Sequence, residues 1–338
     1  MRKEASMDQW RALYDITDHL KQMEPWNLFF DTDLLCIQSE EAENIVFVSI
    51  MGRAGQCFGY TVYEGMEGLA DFDMIATADH SGLPMDYLMY EQSSLCCYWG
   101  DREEVPPPQK KNITALGRKY RGRGQWPYFQ SYKRRYAPFT PDAREVDVMI
   151  RAIGQAIALV EEMNRGQLKA NFDAGDALWR IADPVTGQWR SEIAPLPYRQ
   201  KTYPMLDLAD EVLKKRLQLK PMIDVCLIME FAYLNGAVKD DHEDRPVNPL
   251  LFIVADEDQE MILSMNMLSP KDKEEEIVLG FFVNYVLEYG RPDMIRARNP
   301  WILTALDKLC EDCDIAVEEE NMELMDMIIA DLRDRLGS

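Results

Sequence analysis

The sequence predicts an α+β protein of two domains. Three observations carry this reading: strand-like runs joined by tight turns in the first half, a βββαβαβα alternation in the second, and between them an aperiodic stretch, Ala194 to Pro204, with three prolines. The expected boundaries are an N-terminal domain of mixed antiparallel sheet and helices over residues 1–194, a linker over 195–204, and a C-terminal α/β domain over 205–338.

Ser6 stands where it would cap an amphipathic helix with Trp10, Leu13, Thr17, Leu20 and Met23 on one face, ended by Pro25. Strand-like runs follow at 28–37, 44–51 and 56–63. The last two join through Gly52-Arg-Ala-Gly55, a turn with no helix behind it and so no phosphate cradle. A helix is expected over 67–75 and a strand over 95–99. Pro106-Pro107-Pro108 reads as a stiff hinge leading into the next segment. Thr140-Pro141-Asp142 reads as a helix start with Thr140 as N-cap, followed by the apolar stripe Val146, Met149, Ile150, Ile153, Ile157 and Val160 and ended by Gly166. A hairpin is expected over 178–194, turning at Pro184 and Gly187. In the second half the pattern predicts strands at 223–233, 249–255, 261–267, 294–297 and 315–318, with helices at 272–289, 300–313 and 322–336. In the last of these Met322, Met325, Ile329 and Leu332, with Leu336, recur at helical spacing, a core or interface stripe.

With 338 residues, 47% of them hydrophobic, the chain can bury a large core. No run of 18 apolar residues occurs and no apolar stretch backs the N-terminal MRKEASMDQW, so neither membrane spanning nor secretion is expected. Seven cysteines without a secretory context predict free thiols and a cytoplasmic protein. A net charge of -22 opposes general affinity for nucleic acid, so such binding must be local; the same charge suits docking on a basic protein partner.

Charge is segregated along the chain. No acidic residue lies between Glu104 and Asp142, a stretch that holds nine lysines and arginines, interleaved with Tyr120, Trp126, Tyr128, Phe129, Tyr132 and Tyr136. Cations beside rings are the pairing that grips phosphates and stacks bases of single-stranded nucleic acid. The candidate anion or nucleic-acid-binding residues are Arg118, Lys119, Arg121, Arg123, Trp126, Tyr128, Tyr132, Lys133, Arg134 and Arg135. Gly122 and Gly124 would let backbone approach a phosphate closely. Arg121, Arg123, Lys133, Arg134 and Arg135 are expected to exceed what acids within the segment can neutralise, there being none. The competing reading packs Trp126, Phe129 and Tyr132 into the core and pairs Arg118, Arg121 and Arg123 with acids elsewhere.

Other motifs carry less. Cys310-Glu-Asp-Cys313 lies at a helix C-terminus among acids that raise a thiol pKa, the opposite of a redox motif, and Cys96-Cys97 point to opposite faces of a strand. Asp240-Asp-His-Glu-Asp244 lacks the spacing of a calcium loop, and Asp79-His80 precedes a turn without nucleophilic partners. No catalytic residue, metal site or cofactor is expected, and the chain reads as a binder rather than an enzyme.

Leu116-Gly-Arg-Lys-Tyr-Arg-Gly122, Gln125-Trp-Pro-Tyr-Phe-Gln-Ser-Tyr132 and Tyr136-Ala-Pro-Phe139 resemble a motif of an uncharacterised bacterial two-domain family. The resemblance extends over most of residues 7–165, including Val62-Tyr-Glu-Gly-Met-Glu-Gly68, and implies a bacterial origin and a second domain but no activity. Pro249 to Met265 followed by Pro292-Asp-Met-Ile-Arg-Ala-Arg-Asn299 is distantly similar to ribonuclease H and integrase domains, whose topology is the βββαβαβα order. Such nucleases need carboxylates that converge on two metals. Here the fourth strand ends in Arg298 and Asn299 where that family places an aspartate, which implies a degenerate, ribonuclease H-like binding fold. The expected function is therefore a non-catalytic binding protein that engages nucleic acid or another anionic ligand. The alternatives are an acidic protein-interaction or regulatory module, and a metal-dependent nuclease if Asp224 or Glu230 converges with Asp256, Asp293 or another acid.

Overall fold

A computed structural model describes residues 2–41, 43–320 and 322–336. They form ten α-helices and two mixed sheets, of seven and five strands. The chain divides into two units. One comprises the chain up to Ala76 with Gln92–Lys133 and Pro138–Lys201; the other comprises Thr77–Glu91, Arg134–Ala137 and the chain from Thr202 onward.

In the first unit the elements are α1 (Met7–Gln22), β1 (Leu34–Gln38), β2 (Ile45–Met51), β3 (Gly59–Glu64), α2 (Gly65–Ala76), β4 (Ser94–Gly100), α5 (Pro107–Ala115), β5 (Trp126–Tyr132), α6 (Ala143–Asn164), β6 (Asp176–Ala182) and β7 (Trp189–Pro195); α3 (Ala78–Ser81) and α4 (Met85–Tyr90) fall in the second unit. The sheet order is β5-β4-β3-β2-β1-β6-β7, antiparallel except where β1 meets β6. Alternation sets the two faces. Leu35 and Ile37 join Trp10, Leu13, Tyr14, Phe129, Met149 and Ile153 in a core that includes α1 and α6. Leu34 and Cys36 face the other way, with Phe47, Tyr63 and Leu69 of α2.

Local chemistry moves several boundaries from their expected places. Ser6 caps α1 in a capping box with Gln9, as its position requires. The first strand begins at Leu34 rather than 28, because Pro25–Asn27 forms a 3-10 turn and the Asp33 carboxylate accepts the Phe30 N–H at 2.7 Å. The triple proline is no hinge: α5 begins at Pro107, in the first turn, where a missing N–H leaves no bond unmade. The cap of α6 is Asp142 rather than Thr140, in a capping box with Glu145. The basic segment contains a strand, β5, which the sequence reading lacked.

The second unit adds α7 (Glu211–Gln218), β8 (Met222–Tyr233), β9 (Leu250–Asp256), β10 (Met261–Leu268), α8 (Glu274–Glu288), β11 (Arg291–Ala297), α9 (Pro300–Asp312), β12 (Ala316–Glu319) and α10 (Glu323–Leu336). From β8 onward the order is βββαβαβα, as expected. The sheet runs β10-β9-β8-β11-β12, with β8, β11 and β12 parallel and β9 antiparallel to both of its neighbours. Met322, Met325 and Ile329 pack on Ile228, Ala232, Leu251, Ile253 and Ala255, the core stripe that their spacing predicts. α3, α4 and α7 are additions to the expected set. Arg134–Ala137 is stitched into this unit by backbone: Ala137 N–H donates to Pro246 O at 2.9 Å and Asn248 N–H to Arg135 O at 3.0 Å.

Candidate anion-binding site

The loop from Gly117 to Gln125 is anchored at both ends. At its start Arg118 donates to Asp18 at 2.7 Å and to Asp15, one turn apart on α1, and its guanidinium lies 5.3 Å from the centre of the Tyr14 ring. Tyr120 hydroxyl donates to Asp18 at 2.9 Å. Burial pushes the Asp18 carboxyl up from its ordinary value, against the bonds from Tyr120 and Arg118. At its end Gly124 N–H donates to Asp101 at 2.9 Å, and the Lys21 ammonium donates to Gly124 O at 2.9 Å. Gly122 and Gly124 have φ of 92° and 62°, the left-handed region where a side chain would be strained.

Between the anchors Lys119, Arg121 and Arg123 are exposed, and among the described residues no carboxylate pairs with any of them. β5 follows directly. Trp126, Tyr128, Gln130 and Tyr132 are half-buried and alternate with buried Pro127, Phe129 and Ser131. Tyr128 lies beside Tyr98 of β4, ring centres 5.4 Å apart, and Tyr132 donates to Gln130 at 3.0 Å. Trp126 is partly committed to packing, 5.8 Å from the Tyr120 ring. Burial, aided by Glu104, pushes the Tyr128 phenol up to about 12, so it is a neutral hydrogen-bonding group at physiological pH. Two exposed guanidinia, an ammonium and a row of rings can hold phosphates and stack on planar groups. They offer no general base or nucleophile.

The site as first read is thereby divided. Lys119, Arg121, Arg123, Trp126, Tyr128 and Tyr132 belong to the loop and β5, with exposed Lys133 next in the chain. Arg118 is held by α1. Arg134 and Arg135 are structural: Arg134 bonds Glu91 and Glu274, and Arg135 bonds Glu274 and donates to Ser269 O at 3.1 Å. The acid-free segment itself offers these two arginines no partner, as read; Glu91 and Glu274, which lie outside it, neutralise them. Glu91 is wholly buried and also accepts from Tyr233 hydroxyl at 2.8 Å and from Trp301 Nε1 at 3.0 Å.

Residues 10–180, just over half of the chain, match a domain of unknown function, DUF7309. The chain belongs to the DUF7309 family. Residues 213–333 match a second domain of unknown function, DUF6930. No curated protein matches the chain.

The structure also places the remaining motifs of this DUF7309 protein. Cys310 and Cys313 are buried free thiols, and burial pushes both pKa values up. Glu243, in the Asp240–Asp244 loop, accepts from Tyr136 hydroxyl at 2.7 Å and pairs with Lys271, while Asp79 and His80 are exposed on α3. Glu230 of β8 is bonded by Arg298 Nε at 2.6 Å, and Arg298 also bonds Asp326 of α10. Asp256 stands opposite Leu227, and Asp293 accepts the Val225 N–H at 3.1 Å, so neither meets Glu230. Among the described residues no three His, Cys, Asp or Glu side chains converge as metal ligands, and no helix is long and apolar enough to cross a membrane.

Proposed function

We propose that this DUF7309 protein is a non-catalytic binder of an anionic ligand of the single-stranded nucleic-acid class, held by Lys119, Arg121 and Arg123 and by rings of β5. The observation that carries this is the exposure of Arg121 and Arg123 without a carboxylate partner among the described residues, in a chain of net charge -22. Surplus acid would ordinarily recruit such guanidinia. The second unit is read as a ribonuclease H-like fold put to structural or binding use. Its βββαβαβα order and β10-β9-β8-β11-β12 arrangement support that reading, and Arg298 stands between Glu230 and Asp326 where a metal would need open carboxylates.

Fluorescence anisotropy with labelled single-stranded DNA and RNA tests the proposal. The expected result is binding that weakens with salt at a slope of about 0.7 per phosphate contacted. Replacing Arg121 and Arg123 together by alanine lowers affinity by about tenfold or more and leaves stability within about 0.5 kcal/mol, because neither side chain bonds another of the described residues. No binding at low salt, in parent and variant alike, would discard this reading in favour of an interaction module for a basic protein. Exposed Glu318, Glu319 and Glu320 favour that alternative. Incubation with magnesium is expected to leave the nucleic acid intact; cleavage lost in Glu230→Gln would restore the nuclease reading.

A further inference from the structure

Alternation along β9 gives the five-stranded sheet two different faces. Leu251, Ile253 and Ala255 pack against the α10 stripe, so Phe252 and Asp256 belong to the opposite face, where the Phe252 ring lies 5.9 Å from that of Phe281 on α8. Between α8 and this face runs a groove of about 800 Å³, room for a small organic molecule. Asp256 lines it and is 4% exposed. Among the described residues no lysine, arginine or histidine pairs with it; Arg296 goes to Glu257, next in the chain, and Lys273 to Glu276. The one bond that Asp256 is seen to make does not require a charge. Its carboxylate accepts the Gln259 N–H at 3.0 Å in the turn between β9 and β10, and an asparagine would accept it equally well. A buried carboxylate without a counterion is costly to keep. A cation that enters the groove removes that cost.

The helix supplies the other wall. Phe281, Tyr285 and Tyr289 recur every four residues along α8 and its cap as a row of rings, with centres 5.6 and 5.2 Å apart. Ring faces attract cations. Burial, and then the charge of Asp256, push the Tyr285 phenol up from its ordinary value, as a ring beside that carboxylate should be. Gly280 lines the groove from the middle of α8, where glycine is a poor helix former, yet a Cβ placed on it would meet nothing within 4 Å. Packing does not demand this glycine, and its bare backbone leaves the groove wide. The other charged residues that line the groove are Glu276 and Glu288, both exposed, so every charge on its walls is negative.

We propose that this groove binds a small organic cation, a protonated amine on an apolar body, with the ammonium at Asp256 and the body on the rings of α8. This is independent of the anion-binding loop and takes a ligand of the opposite charge. Isothermal titration calorimetry of the full chain at neutral pH tests it with phenethylamine, which is an ammonium ion there, against phenethyl alcohol, its uncharged analogue of equal size. The amine is expected to bind about tenfold or more tightly than the alcohol. Asp256→Asn keeps the turn bond and is expected to erase the amine's advantage, weakening its binding by about tenfold or more. Gly280→Leu fills the groove from α8 and is expected to weaken the amine by a similar factor. Circular dichroism confirms that each variant is folded, and Gly280→Leu, at an exposed position of a helix, decides alone if Asp256→Asn is not. No binding of the amine at roughly 10 mM overturns the proposal. So does an amine that binds no better than the alcohol, or one whose affinity either folded variant leaves unchanged.

Discussion

Replacing Glu274 by alanine lowers the stability of the second unit by about 3–5 kcal/mol. Glu274 is 2% exposed and is the carboxylate that Arg134 and Arg135 both bond. Arg135 is itself buried and has a φ of 72°, a left-handed backbone that costs a non-glycine residue about 1–2 kcal/mol and that its bonds must offset. Removing the carboxylate leaves the Arg135 charge without its counterion in a site closed to water. Arg134 keeps Glu91 and suffers less. Denaturant unfolding checks the value, and Glu274→Ala combined with Arg135→Met is expected to recover part of the loss, since the stranded charge goes too. A loss below about 1 kcal/mol in the single variant would mean that water reaches the pair and the clasp is ornamental.

Replacing Arg298 by alanine is expected to cost a similar amount, about 3–5 kcal/mol at neutral pH, and to do so in a pH-dependent way. Glu230 is 1% exposed, and burial already holds its carboxyl above the ordinary value although Arg298 bonds it. Without the guanidinium the carboxyl rises further. A carboxyl whose folded pKa exceeds its unfolded pKa favours folding in acid, and that contribution is lost as pH climbs through the folded value. The variant's deficit relative to the parent is therefore smallest near the unfolded carboxyl range, about pH 4–5, and grows toward pH 8. Melting temperatures of both proteins across that range check it. A deficit that does not change with pH would show that Glu230 does not take up a proton, and the account of this buried pair would fail.

Much of the fold was legible because its signals are local. Periods of two and of 3.6 residues marked β8 to α10 to within a few residues, and Ser6 marked the start of α1. What escaped notice was short or mixed in signal. α4 is six residues long, α5 opens with prolines, and β5 alternates half-buried aromatic with buried residues inside a run of cations, so that charge hid its period. At the candidate site, charge segregation singled out a stretch but could not sort its members. Asp15 and Asp18, one turn apart on α1, were a readable hint of a partner for Arg118; nothing near Arg134 in the sequence announced Glu91 or Glu274.

The sequence by itself determined the α+β class, the βββαβαβα order, the core stripe of α10 and the acid-free segment, because each depends on neighbours a few residues apart or on composition. Tertiary structure alone decided which arginines are spent. Electrostatic partners are chosen by distance in space, and folding carried Glu91 and Glu274 to Arg134 and Arg135, Arg298 to Glu230, and, among the described residues, no carboxylate to Arg121 or Arg123. It also decided that Thr77–Glu91 and Arg134–Ala137 complete the second unit rather than the first, since backbone and buried charge must find their bonds wherever the fold supplies them.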